Sequence, residues 1–331
     1  MEPNEPHGIV LGVISACTSV LYVYIIVVII KHRELRKASF YMFNIGMGVS
    51  DIGNIWSTYL FQRIPGVGIL NDELYSKSSF FAMMCTNGFG FFNLTQKFFL
   101  TAIGFNRFTA VVMPSIHHRA SFMTDFNIRA SVMVWTLRNS LIIVFLITFL
   151  NLLQAIITEI IATSYFEDHR SPEEPNEGLH CRMKDNSIYK GTIAYNIYLT
   201  MACAIVACIV YGIIIFSLFA NRQKLKTANS RTKQNYQVEL KLTLSVLLHT
   251  VLLTADACTA ALLFIAKQRQ YFIFSNLIQD LLSGCNPYLL LLFSSELRKK
   301  VFWWNQPTSS PVQSVQPLSS HVDKNKRSHR S

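Results

Sequence analysis

The amino-acid sequence predicts an all-α membrane protein, a bundle of seven transmembrane helices followed by a short amphipathic eighth helix. Three observations lead there. Only 15% of the 331 residues are charged while 51% are hydrophobic, against about 25% charged in an ordinary soluble domain. Seven apolar runs stand along the chain, each long enough to cross a hydrocarbon core that needs about 20 residues of helix. The basic residues gather in short clusters between those runs. That placement fits the headgroups of anionic lipid, so the net charge of +11 points to a lipid bilayer as partner and away from nucleic acid.

The runs lie at 9–30, 40–61, 80–112, 128–152, 192–219, 240–266 and 271–293. The first follows Glu2 and Glu5, has no basic residue before it and no small-residue cleavage site, and so reads as a membrane helix and not a leader. Lys31, Arg33, Arg36 and Lys37 follow it directly. The register of the fourth is open, because apolar residues continue to Ala162 and Arg138 interrupts the run; the span can slide outward by about two to three turns. After the seventh, Ser295 is placed to cap an interfacial helix over 294–304, with Phe302, Trp303 and Trp304 at the headgroup level. Residues 1–304 form one seven-helix domain. The tail over 305–331 is rich in Ser, Pro and Gln, too poor in apolar residues to fold, and expected to be disordered. No internal repeat is visible, which weighs against an inverted-repeat transporter.

Lys and Arg set the orientation. With the N-terminus outside, the inner segments hold more than twice as many as the outer ones. The expectation is a multi-pass plasma-membrane protein with its N-terminus outside and its C-terminus in the cytosol. Cys85, near the outer end of the third run, and Cys181, in the loop before the fifth, then both face an oxidising compartment, where a disulfide would pin the long outer loop over the bundle.

Ionisable residues inside spans are costly and face the bundle interior. Here they are Asp51, Lys97, Arg107, Arg138, Asp256 and Asp280. An ammonium at mid-bundle needs a partner, and Asp51, Asp256 or Asp280 can supply it to Lys97. The polar core of Lys97, Asp256 and Asp280 either pairs statically or exchanges partners between two states.

The inner end of the third run reads Asn106-Arg107-Phe108, with Pro114 beyond it. An arginine at that membrane face can rest against the bundle and turn towards a cytosolic partner. The seventh run contains Asn286-Pro287-Tyr288, where proline removes a backbone donor and allows a kink. Asp51 lies in the middle of the second run, within reach of Asn286 across the bundle.

These motifs, with Asn44 and Ser50 before Asp51 and Ser294-Ser295-Glu296-Leu297-Arg298 after the seventh run, resemble the nematode serpentine chemoreceptors. The pattern is most similar to class V of their gamma superfamily, over about residues 9–304. The resemblance implies a seven-helix receptor of chemosensory neurons, with the sensory cilium as its expected place, coupled to a heterotrimeric G protein. Three departures separate the chain from rhodopsin-like receptors. Asn106 stands where an acid normally precedes the arginine, the sixth run has no proline, and Tyr288 follows Pro287 directly.

The leading expectation is a G-protein-coupled chemosensory receptor for a small extracellular ligand. Phe89, Phe91 and Phe92 in the third run, with Tyr195 and Tyr198 in the fifth, are its expected pocket walls. The alternative is a ligand-gated channel or transporter with seven helices. No enzyme motif is present. No cofactor is expected, and the His117-His118 doublet lacks further ligands for a metal.

Overall fold

The computed structural model describes residues 6–66, 75, 78–112, 137–168, 179–226, 230–266 and 269–302. Helix α1 (Pro6–Lys31) leads, through a short turn at Arg33–Lys37, into α2 (Ser39–Trp56). Wide π-helical turns at Ser57–Arg63 extend α2. Another such stretch, Met84–Gly88, precedes α3 (Phe89–Val112). Then come α4 (Leu137–Ile161), α5 (Asn186–Lys226) and α6 (Ser230–Ala266). Helix seven is in two pieces, α7a (Arg269–Gly284) and α7b (Asn286–Phe293), followed by α8 (Ser295–Phe302).

Among the described residues, four stretches are individually long and apolar enough to cross a membrane: Gly12–Lys31, Asn139–Ile161, Asn186–Ala220 and Leu240–Ala266. The helices outside that set, α2, α3 and α7, carry the buried polar residues Asp51, Asn54, Gln96, Lys97, Arg107, Gln279 and Asn286. Intramembrane polar groups must face protein, not lipid. Helix α3 accordingly lies against α2, α4, α5 and α6. Its contact with α2 runs over glycines: a Cβ on Gly46 would stand 2.7 Å from the Phe99 ring, and one on Gly53 2.3 Å from the Phe92 ring. Small residues let membrane helices approach closely, and here they let α3 turn its polar side inward. Helix α4 is the opposite case. Phe145, Phe149, Leu150, Ile157 and Ile160 all point outward, as suits a peripheral helix solvated by lipid.

Several boundaries differ from those read from hydropathy. The described part of α4 ends at Ile161, about two and a half turns past the expected end at Leu152. Leu153, Ile156, Ile157, Ile160 and Ile161 continue its lipid face, so the apolar surface, not Arg138, sets its extent. Helices α5 and α6 have 41 and 37 residues, about 60 and 55 Å of rise, more than a hydrocarbon core of about 30 Å. Both therefore extend beyond it.

The segment between α4 and α5 contains the one regular non-helical element among the described residues. Strand β1 (Ser164–Asp168) pairs antiparallel with β2 (Leu179–Met183), with Phe166 opposite Cys181. Strand β2 alternates apolar and polar residues while β1 does not, and the hairpin is also fixed from outside itself. Glu159 near the end of α4 accepts hydrogen bonds from the Ser164 backbone N–H (3.1 Å), the Ser164 hydroxyl (2.7 Å) and Asn87 Nδ2 (2.6 Å).

Helix α8 starts one residue earlier than expected in its capping. Ser294, not Ser295, caps it: Ser294 Oγ accepts from the Leu297 N–H at 3.1 Å and pairs with the Tyr41 hydroxyl at 2.8 Å. Leu297 and Val301 are buried while Phe302 is 70% exposed, the two-sided arrangement of an interfacial helix. Trp303, Trp304, the tail over 305–331, Pro114 and the His117-His118 doublet lie outside the described residues.

Candidate functional site

Lys97 sits midway along α3. Its ammonium is 2.9 Å from the Asp256 carboxylate of α6, and both side chains are almost completely buried. It also donates to Thr200 Oγ1 of α5 at 2.9 Å, while the Thr200 hydroxyl donates to the Asn196 carbonyl at 2.7 Å. That second bond fixes Thr200 as an acceptor for the lysine. Of the three aspartates open to Lys97, Asp256 is its partner. Asp280 instead pairs with Arg63 at 2.7 Å, beneath the Tyr59 ring on which the guanidinium lies at 4.3 Å. The polar core is therefore two separate ion pairs.

Above Lys97 opens a cavity of about 730 Å³. Helices α3, α5, α6 and α7a wall it with Phe89, Asn93, Asn196, Thr200, Asp256 and Gln279, and Lys190 stands at its exposed end. A volume of this size is ordinary for a small-molecule site, as is an apolar wall with a few convergent polar groups. The Asn93 amide belongs to this wall, which places the Asn93-Leu94-Thr95 triplet inside helix α3.

Of the aromatic residues expected to line a pocket, Phe89 lines this cavity. Phe91 borders a much smaller space towards α4, and Phe92 packs on Gly53 of α2. Tyr195 and Tyr198 are 49% and 72% exposed and point outward. The reason is helical phase. The lining positions of α5 are Ile193, Asn196, Ile197 and Thr200, spaced three and four apart on one face, and Tyr195 and Tyr198 lie on another face, since each residue turns the helix by about 100°. The polar residues Asn93, Asn196, Thr200 and Gln279 were the missed signal. Asn196 and Thr200 lie four apart, as do Asn93 and Lys97, and a polar i, i+4 pair inside a span marks the face that meets protein.

Below the cavity a second polar layer surrounds Asp51, which is fully buried. Tyr22 of α1 donates to one carboxylate oxygen and Gln96 of α3 to the other at 2.6 Å. Gln96 and Asn54 share the Ser283 hydroxyl of α7a at 3.2 and 2.8 Å. Asn286 faces the same carboxylate. Helix seven is interrupted at Cys285, between Gly284 and Asn286, where Pro287 offers no N–H. Tyr288 turns away from this layer to the Thr18 hydroxyl of α1, 3.1 Å away.

At the far end of α3, Arg107 is 5% exposed. Its guanidinium donates to Asn106 Oδ1 at 3.1 Å and lies 4.4 Å from the centre of the Phe40 ring. Asn106 in turn donates to Ser39 Oγ at 2.7 Å. Phe108 is partly buried against the apolar core. Among the contacts described, an amide and an aromatic ring face the guanidinium.

At the cavity end, Cys85 and Cys181 form a disulfide, with Cα atoms 6.2 Å apart. It ties β2 to the start of α3. Arg182 and Glu167, on facing strands, add an exposed ion pair at 2.6 Å, worth little by itself. Side-chain placement is described for neither Arg138 nor the basic stretch of 222–236.

Residues 11–305 match the model of a family described as serpentine type 7TM GPCR chemoreceptor Srv, which covers most of the chain. No curated protein is matched by the chain.

Proposed function

The chain belongs to the Srv family of serpentine seven-transmembrane G-protein-coupled chemoreceptors, and from that premise we propose that a small extracellular ligand occupies the cavity above Lys97. A heterotrimeric G protein is engaged at the opposite end, around Arg107. The family makes the chain a multi-pass membrane receptor and not an enzyme, and it decides against the channel or transporter that a span count alone allows.

The observation that carries the placement is the cavity of about 730 Å³ resting on the buried Lys97–Asp256 pair. Lys97 lies ten residues from Arg107 on the same helix, about 15 Å along its axis. Ligand contact at one end of α3 thereby bears on the arginine at the other, through a rigid helix and the Asp51 layer between them. The N-terminus outside and the C-terminus in the cytosol, as the Lys and Arg distribution favours, put the cavity outside and Arg107 inside.

Two substitutions separate binding from coupling. Ala260→Trp fills the cavity from α6 and should abolish the response to an active chemical while the receptor still reaches the cell surface. Arg107→Ala should leave ligand binding intact and remove G-protein nucleotide exchange. An unchanged dose response in the Trp variant would move the ligand elsewhere.

A further inference from the structure

The cavity has a chemical bias, and the ligand class follows from it if the cavity is the ligand site proposed above. Among the described residues, its charged lining consists of Lys97, Lys190 and Asp256. Asp256 is taken by Lys97. An amine ligand would have to displace that ammonium from its carboxylate and leave a buried lysine unpaired, an expensive exchange. An acid meets the opposite situation. The Lys97 ammonium has three N–H groups; Thr200 accepts from one, and Asp256 stands 2.9 Å away as its ion-pair partner, so at least one remains for an incoming oxygen. Lys190, ten residues before Thr200 on α5, stands about 15 Å further out and adds a second positive charge along the way in.

The walls ask for more than a charge. Asn93 Oδ1, Asn196 Oδ1 and Gln279 Nε2 are buried without a partner among the described residues, and all three residues line the cavity. Buried polar groups left unpaired are costly, so each is a position where a ligand or a water gains a hydrogen bond. Two of these open atoms are acceptors and one is a donor; Asp256 Oδ2, held 2.9 Å from Lys97 as an ion pair without a hydrogen bond, is a further acceptor on the same wall. Phe89, Leu263 and Phe264 supply the apolar remainder.

We propose that the receptor takes a small organic acid that also carries a hydroxyl or amide N–H. Its carboxylate accepts from the free Lys97 N–H, its polar group bridges Asn93, Asn196 and Gln279, and its hydrocarbon part rests on Phe89 and Phe264. The pocket rejects amines of the same shape.

The test uses full-length receptor in lipid nanodiscs. Binding is read by thermal stabilisation, and G-protein nucleotide exchange is read separately. The probes are hydroxy- and amido-carboxylic acids, each beside its uncharged primary amide and the amine of the same skeleton. A charge-assisted hydrogen bond predicts that the binding acids exceed their amides by roughly tenfold or more in apparent affinity, with the amines weakest. Lys97→Met alone risks the fold by stranding Asp256. The double variant Lys97→Met/Asp256→Leu removes both charges together and should erase the advantage of acid over amide while the amide still binds. Amides equal to acids, amines binding best, or no acid binding would each overturn the inference. An acid preference that survives the double variant would also overturn it. Acids that bind without nucleotide exchange would leave this inference standing and sink the signalling role instead. Exchange driven by amines, or by amides as potently as by acids, would do the reverse.

Discussion

Arg107 is held in part by its immediate neighbours. Its neighbour Asn106 cannot form an ion pair, yet the guanidinium is buried, hydrogen-bonded to the Asn106 amide and laid on the Phe40 ring. A desolvated cation–π contact is worth about 2 kcal/mol, and a hydrogen bond from a charged donor about 1.5–3 kcal/mol, so Phe40 and Asn106 each contribute measurably to holding the arginine. Phe40→Leu should therefore raise ligand-independent signalling about tenfold, by weakening the resting contact by about 1.4 kcal/mol. Asn106→Asp should lower it by adding the missing charge. Basal nucleotide exchange checks both, and a rise in the Asp variant would mean that Asn106 does not restrain Arg107. The Lys97–Asp256 pair makes a second prediction at this scale. Breaking a buried pair from one side costs about 3–5 kcal/mol, while replacing both partners by apolar residues is often neutral. Lys97→Met and Asp256→Leu should each lose folded receptor, and the double variant should recover it, as scored by monodisperse yield. The need for partners at these charges was legible in the sequence. Which aspartate each would meet was not, because one residue of helical phase redirects a side chain by about 100°. That phase also sent Tyr195 and Tyr198 outward and Asn196 and Thr200 inward.

At the scale of elements, close approach between α2 and α3 decides how the polar side of α3 is buried. Gly46→Ala would put a methyl 2.7 Å from the Phe99 ring, and overpacking of this kind costs about 1–3 kcal/mol. The variant should melt well below the parent, and Gly191→Ala on α5, where a Cβ meets nothing within 4 Å, serves as its control. The start of α8 gives a finer contrast. Ser294→Ala removes a cap worth about 1 kcal/mol, together with the Tyr41 contact, whereas Ser295→Ala removes no cap. If both variants melt alike, the capping assignment is wrong. Helical segments were the most readable feature of the chain, since long apolar runs separated by basic clusters leave few other solutions. Their ends were less readable. Hydropathy could not place α4, because its lipid-facing isoleucines run on past Leu152. The β1–β2 hairpin was hard to read: β2 alternates apolar and polar residues over Leu179–Met183 but β1 does not, and the tie from Cys181 to Cys85 spans 96 residues of sequence.

Across the whole molecule, the two ends of the bundle are built for different work. One end carries the hairpin, the disulfide and the mouth of the cavity; the other carries Arg107, α8 and the clustered Lys and Arg. The hairpin is held by two independent ties, the Cys85–Cys181 bond and the Glu159 hydrogen bonds. Helices α3 and α4 lie between the two cysteines in sequence and are anchored by the apolar core. Reduction of the bond should therefore loosen the cover of the cavity without unfolding the bundle. The same holds for Cys181→Ser, which leaves Cys85 among buried residues of the π-helical turn before α3. The expected result is a receptor at the cell surface with a right-shifted dose response and unaltered basal signalling. Whether reductant reaches the bond from outside intact cells then tests orientation in the same experiment. A membrane-impermeant thiol reductant that shifts the response puts the hairpin end outside, with Arg107 and the basic segments in the cytosol. A shift obtained only with a permeant reductant would put the hairpin inside. In that case the cavity would face the cytosol, Arg107 would be beyond the reach of any G protein, and the proposed placement of ligand and partner would fail together.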